Sequence, residues 1–144
     1  MKKIVQCLSP VYRDSNNPTM PSMISIVSAK YCARLSIDDI EYIEQIGRVL
    51  HIYTLEKDYS IYENIYKIEG MLVGRGFYKP LRSMIINFDH INNIDENIIV
   101  FESGRTVMIG KNALSRTRDI YRKFLQGYPN LIMFEESLKV AEKR

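Results

Sequence analysis

Asp38-Asp39-Ile40-Glu41-Tyr42-Ile43-Glu44-Gln45-Ile46, then Gly47-Arg48, then Val49-Leu50-His51-Ile52-Tyr53-Thr54-Leu55 is the stretch that decides the fold class. Its apolar residues at 40, 42, 43 and 46 suit a helix or a strand, but β-branched and aromatic side chains favour a strand through Glu44. Gly47-Arg48 turns the chain, and a second strand runs from Arg48 to Leu55. After a break at Glu56 to Tyr59, Ser60-Ile61-Tyr62 follows, so the segments read as consecutive antiparallel strands. A β-meander here puts the chain in the mostly β class.

Working outward, Asn64 is a helix-cap residue, and Ile65, Ile68 and Leu72 recur at spacings of three and four. That predicts a short helix over 65–73, closed near Gly74, with Gly74-Arg75-Gly76 as its exit loop. Phe77-Tyr78-Lys79-Pro80 leads into Met84 to Asn87. Ile91 to Ile94 and Ile98 to Phe101 flank Asp95-Glu96-Asn97 as a hairpin, Ser103-Gly104 turns again, and Arg105 to Ile109 returns as a strand. Asn112 or Ser115 then caps a helix whose Leu114, Tyr121, Phe124 and Leu125 form an apolar stripe. Leu131, Phe134, Leu138 and Ala141 predict a second amphipathic helix over 130–142. Towards the start of the chain, an opening strand, a polar loop from Asp14 to Pro21 and a strand from Met23 to Ala29 are expected. The fold class is therefore mostly β (α+β): elongated antiparallel β-sheets, a short central helix and one or two C-terminal helices.

The chain has 144 residues, enough for one domain with a real core, and its 46% hydrophobic and 26% charged content argues against both a disordered chain and a membrane span. No apolar stretch approaches bilayer length, and the N-terminal apolar run is too short for a leader, so the expected location is cytoplasmic, with no membrane insertion. Cys7 and Cys32 sit in no CxxC pair and near no histidine cluster, and both read as ordinary buried thiols. His51 in a strand and His90 in a turn read as structural or surface groups. No nucleophile-base pair or metal set stands at a telling spacing, so the expectation is no catalytic residue, no metal, no cofactor and no enzyme activity.

Charge is uneven along the chain. Residues 103–127 hold six Lys/Arg (Arg105, Lys111, Arg116, Arg118, Arg122, Lys123) against Asp119 alone, a local +5 in a chain of net +3. Residues 38–69 carry eight acids against three bases, and read as a solvent-facing stretch. Residues 70–88 hold Arg75, Lys79 and Arg82 with no acid, and 89–102 turn acidic again. Alternation of this kind fits a protein with one side turned to a polyanion. Arg122 and Lys123 lie deep in the last helix and read as a solvated face. The ten tyrosines mostly stand beside Ile and Leu and read as core or half-buried packing rather than as a stacking platform.

Several stretches carry a family likeness. Ile40-Glu41-Tyr42-Ile43-Glu44 is similar to an I-x-Y-I-E strand. Phe77-Tyr78-Lys79-Pro80-Leu81-Arg82-Ser83-Met84-Ile85-Ile86-Asn87 looks like a line F-x-R-x-H-R-S-x-I-V-N, the most specific of the matches. Ile91-Asn92-Asn93-Ile94 and Gly104-Arg105 with Ile109-Gly110-Lys111-Asn112 follow in the matching order. From about Met23 to Leu125 the chain thus resembles the LytTR family of bacterial DNA-binding domains. The organisation implied is an N-terminal strand and loop extension over 1–22, a LytTR-like DNA-binding domain over 23–126 and a C-terminal amphipathic helix extension over 127–144.

The resemblance implies a small transcription regulator whose loops, rather than one recognition helix, read successive major grooves of duplex DNA. By matching position the loops are Gly47-Arg48-Val49, Leu81-Arg82-Ser83 and Gly110-Lys111-Asn112. Arg48, Arg82 and Lys111 are placed on bases or adjacent phosphates, Ser83 and Asn112 on phosphate or adenine, and Arg116 and Arg118 on phosphate. Leu81 stands where many members have His, and Lys111 where Arg is common; lysine keeps the charge without the planar fork. Those departures support a rival from another class, a LytTR-like protein-interaction module that no longer reads DNA. No receiver domain is expected before the DNA-binding part, so control is expected from expression level, a regulatory protein partner or the terminal segments. Two copies on repeated sites, or a homodimer, complete the expected partners, with the terminal helix either docking on its own domain or dimerising.

Overall fold

A computed structural model of the protein describes the backbone of residues 5–11 and residues 23–129, 131, 133 and 134. The chain divides after Val73 into two compact units.

The first unit opens with β1 (Val5–Val11), β2 (Met23–Ser28) and β3 (Cys32–Ser36), a three-stranded antiparallel sheet in that order. Ile24 faces Leu35 across β2 and β3, and Ile24, Ile26 and Leu35 are buried, the period-two burial of a one-sided strand. A 3-10 turn at Ile37–Asp39 delivers the chain into the predicted meander: β4 (Ile40–Ile46), β5 (Val49–Thr54) and β6 (Asp58–Tyr62), neighbours paired antiparallel. Ile46 faces Val49 across the Gly47-Arg48 turn, and Gly47 at φ 61° supplies the left-handed backbone a side chain would resist. The β5–β6 break is one residue shorter than read, because the Thr54 hydroxyl and amide both bond the Lys57 carbonyl, at 2.7 and 2.9 Å, and close the turn early.

The short helix α1 (Ile65–Leu72) stands where the spacing put it, with Ile65, Ile68 and Leu72 buried. Asn64 caps it, its side chain accepting from the Tyr66 amide at 2.8 Å. Gln45 at the end of β4 fastens the helix start. Its side-chain oxygen accepts from the Ile65 amide at 2.6 Å, and its amide nitrogen donates to the Glu63 carbonyl at 2.8 Å.

The second unit contains β7 (Phe77–Leu81), β8 (Met84–Asn87), a 3-10 turn at Phe88–His90, β9 (Ile91–Ile94), β10 (Ile99–Phe101), β11 (Thr106–Val107) and α2 (Lys111–Leu125). β7 and β8 form a hairpin whose register slips by one between Tyr78 and Leu81, where Pro80 has no amide to offer a ladder. β9, β10 and β11 make a three-stranded sheet with β10 in the middle. Gly76, at φ 85°, lies so close to Asp89 that an added Cβ would meet its carboxylate at 3.2 Å; its carbonyl accepts the Phe88 amide at 2.9 Å.

Phe88 is the packing centre of this unit. It stacks on Tyr78 and meets Tyr121 and Phe124 edgewise or tilted, each centroid 5.2 Å away. Those contacts, with buried Ala113, Leu114 and Thr117, seat α2. The buried Thr117 hydroxyl donates to the Ala113 carbonyl at 2.7 Å, so burial leaves no polar group unmet there. Tyr121 donates its hydroxyl to the Ile91 carbonyl at 3.2 Å, and burial, aided by the Glu102 carboxylate, raises its pKa. Beyond α2, the Met133 carbonyl accepts the Lys79 amide at 3.0 Å.

Several expectations need correction. β3 was not anticipated: Arg34 and the turn-like neighbourhood of Ala29-Lys30 mask its alternation. Cys32, read as a buried thiol, is exposed on β3, and the side chain of Cys7 lies outside the described residues. Leu125 is 65% exposed and off the apolar stripe, because it sits one position round the helix from Phe124. Tyr31, Tyr62, Tyr66 and Tyr128 are exposed, not packed. The return strand is two residues long, not five. Glu41 and Lys79 are buried, so neither belongs to the solvent-facing acidic stretch or the basic surface that the regional charges suggested. The loop from Asp14 to Pro21 lies outside the described residues. So does most of the predicted helix over 130–142; Leu131, Met133 and Phe134 are described and are not helical.

Candidate nucleic-acid interface

The sequence nominated seven residues. Arg48 is in the first unit, exposed at the tip of the β4–β5 hairpin beside Gly47. Gln45 also reaches the Gly47 carbonyl at 3.3 Å, so the same side chain that fixes α1 braces the base of this turn.

Arg82 and Ser83 form the two-residue turn between β7 and β8, and both are exposed. The strands on either side are anchored by buried Phe77, Tyr78, Met84, Ile85 and Ile86, a rigid base under an exposed pair.

Lys111 and Asn112 are placed differently from expectation. They lie not in a loop but in the first turn of α2, with Gly110 as the N-cap and no side chain capping the helix. Asn112 and Ser115, read as cap candidates, are inside the helix. Glycine is tolerated at an N-cap because it adopts the required backbone, but it leaves the first amides without the oxygen that Ser, Thr, Asp or Asn would offer. No acid occupies the first turn, and Lys111 puts a positive charge at the positive end of the helix dipole. Local electrostatics disfavours that by about 0.3–1 kcal/mol.

The helix face pointing away from the packed aromatics carries Asn112, Ser115, Arg116, Asp119, Arg122 and Lys123, all exposed. Arg122 is partly engaged by Asp119 at 2.9 Å, one turn back. Arg118 is half-buried and donates to the Asp95 carbonyl at 3.0 Å, in the turn between β9 and β10. α2 also packs on β7, the strand that runs out to Arg82. The second unit therefore holds the Arg82 turn and the basic start of α2 on one shared packing arrangement.

His51 Nδ1 lies 3.0 Å from the Ser60 hydroxyl, and His90 Nδ1 lies 2.8 Å from a Glu102 carboxylate oxygen. Among the described residues no group of three or more His, Cys, Asp or Glu gathers as a metal site, and no helix is long and apolar enough to cross a membrane.

The LytTr DNA-binding domain family matches residues 31–122. The chain belongs to that family. The LytTr match takes in all seven nominated residues and leaves β1 and β2 outside it. A solved LytTr DNA-binding domain of a putative methyl-accepting/DNA response regulator from Bacillus cereus is similar in fold, with a TM-score of 0.58 at 18% identity. That likeness covers 74% of this chain and 98% of the other. No curated protein matches the chain. The LytTr fold, antiparallel sheets with a short helix and a longer C-terminal one, is the architecture described above. What sequence reasoning missed is that the third segment is a helix start; the signal was there in Gly110 followed by apolar residues at 113, 114, 121 and 124.

Proposed function

We propose that the protein is a transcription regulator that binds duplex DNA sequence-specifically, presenting Arg48, Arg82 with Ser83, and Lys111 with Asn112 to successive major grooves. Arg116 and Arg118 add phosphate contacts. The observation that carries the reading is the start of α2: an uncapped helix N-terminus, free of acids, with Lys111 in its first turn. Oriented amides and a lysine at one point are a liability in isolation and an advantage against a phosphate or an acceptor-rich base edge. Arg48 and Arg82 support it from hairpin tips, where short turns on anchored strands hold long side chains out to solvent. Arginine bridges guanine O6 and N7, and Ser83 and Asn112 suit phosphate or adenine.

Two copies on repeated sites suit a domain of this size, the protein acts in the cytoplasm, and a regulatory protein partner supplies control. The test is selection of binders from a pool of random duplexes, followed by anisotropy titration at several salt concentrations with wild type, Arg48→Ala, Arg82→Ala and Lys111→Ala. The expected result is an enriched motif, a loss of about 1–3 kcal/mol for each base-reading substitution, and an affinity that falls about two to three orders of magnitude over a fourfold rise in salt. No enriched motif and no effect of the three substitutions would favour the protein-interaction module instead.

A further inference from the structure

Met108 is 76% exposed, the highest value among the exposed large hydrophobic residues described. It directly follows β11, whose Val107 is buried, and precedes the N-cap Gly110 by two residues. Strand alternation turns Val107 into the core and Met108 out of it. Among the described residues the buried core of the second unit, Phe88, Phe101, Val107 and Leu114 included, is built without this side chain.

Position gives the residue its meaning. Three residues of extended chain span at most about 11 Å, so the Met108 Cα lies within about that distance of the Lys111 Cα. The Met108 side chain extends from that point into solvent. It is unbranched and polarizable, and it fits irregular apolar surface well. The major groove offers one such surface at the base edges, the C5-methyl of thymine; the other groove-edge groups are donors and acceptors that a thioether cannot match.

We infer that Met108 is a specificity-determining residue that packs on a thymine methyl next to the base or phosphate engaged by Lys111. The inference rests on the duplex-reading function proposed above and deepens it. Met108 adds preference for thymine at one or two positions where lysine alone would be tolerant. Removing one methyl from such a contact forfeits the burial of about one apolar carbon, which corresponds to roughly a fourfold loss in affinity.

The experiment uses the full chain and a duplex selected from a random pool by the wild-type protein. Each thymine is replaced singly by deoxyuridine, which removes the methyl and leaves every hydrogen-bonding group in place. Affinities are measured for wild type, Met108→Leu, Met108→Ala and Lys111→Ala, with circular dichroism to check that each is folded. The expected result is one or two positions where deoxyuridine weakens wild type about fourfold, where Met108→Leu keeps that sensitivity, and where Met108→Ala is indifferent to the change. Met108→Gln, measured alongside, is read in its place should the alanine protein fail to fold: loss of the deoxyuridine sensitivity in that variant supports the contact, and a wild-type profile overturns it. Equal deoxyuridine profiles for wild type and Met108→Ala, or no sensitive thymine at all, overturn the inference. If Lys111→Ala still loses affinity in that case, the duplex-reading function stands and only the role of Met108 falls. If no motif is enriched in the selection, both fall together.

Discussion

Arg118 on α2 donates to the backbone carbonyl of Asp95 in the β9–β10 turn at 3.0 Å. The Asp95 carboxylate in turn accepts from the Asn97 and Ile98 amides at 2.7 and 2.8 Å. One residue thus closes its own turn with its side chain and anchors the neighbouring helix with its main chain. Arg118 is consequently a structural cation as well as a candidate phosphate ligand, whereas Arg116, exposed two positions earlier, makes no such contact among the described residues.

The two arginines should therefore separate in a salt titration. Arg116→Ala is expected to lower the slope of log affinity against log salt by about one, the signature of one lost phosphate contact. Arg118→Ala should lower it by less and should also lower the thermal midpoint, since it unties α2 from the hairpin. Equal slopes with no change in midpoint for Arg118→Ala would show that the Asp95 contact does not hold the helix.

Phe88 offers a sharper test of stability. Its side chain is 2% exposed and touches three aromatic rings from β7 and α2. Phe88→Ala should cost about 3–5 kcal/mol in urea unfolding, as for a large aromatic removed from a packed site. Phe124→Ala should cost less, because that ring is only half-buried. DNA affinity of the folded fraction should fall with Phe88→Ala too, because α2 carries Lys111 and loses its seat.

The sequence was legible where local chemistry and long-range packing agree. Gly47 has to take a positive φ, Asn64 caps with its own side chain, and Ile65, Ile68 and Leu72 face inward together, so turn, cap and helix could be read within a few residues. It was less legible where burial is decided by partners far away in the chain. Glu41 and Lys79 look like surface charges in a window of neighbours, yet both are buried by the sheet elements around them. The candidate site divides in the same way. Arg48 and Arg82-Ser83 follow from turn chemistry, while the placement of Lys111 inside the helix rather than in a loop before it was masked by Asn112 and Ser115, either of which reads as a cap, in a helix that Tyr121 and Phe124 seat on Phe88.

Asp95 gives a pH dependence with a definite sign. The Ile98 and Asn97 amides, chiefly, hold its carboxyl below the ordinary value, with a smaller contribution from Arg118. A depressed folded pKa means that the unfolded chain takes up the proton first. The stabilising contribution is therefore present above the unfolded value of about 3.9 and is lost as the pH falls through the lower folded value. Asp95→Asn keeps an oxygen for the two amides but cannot titrate. Thermal midpoints followed from pH 7 downward should show a shallower acid decline for Asp95→Asn than for wild type, and identical declines would remove Asp95 from the acid response.

Lys111 invites the reverse kind of substitution, one that improves a function. Lysine presents a point charge, whereas arginine presents a planar fork that matches two acceptors on one guanine edge. Lys111→Arg keeps the charge at the uncapped helix N-terminus, so stability should stay within about 0.5 kcal/mol of wild type, as for a surface change that alters no named contact. If the residue faces a guanine, the arginine variant should select a sharper motif at that position and discriminate against other bases by a further amount of up to about 1–3 kcal/mol. If it faces only phosphate, both proteins should enrich the same motif with the same salt slope. Lys111→Ala distinguishes either case from no contact: loss of affinity uniform across sequences points to phosphate, and loss confined to the preferred sequence points to a base. Selection experiments on the three proteins in parallel therefore assign the role of this residue, and with it the extent to which the start of α2 contributes specificity rather than affinity.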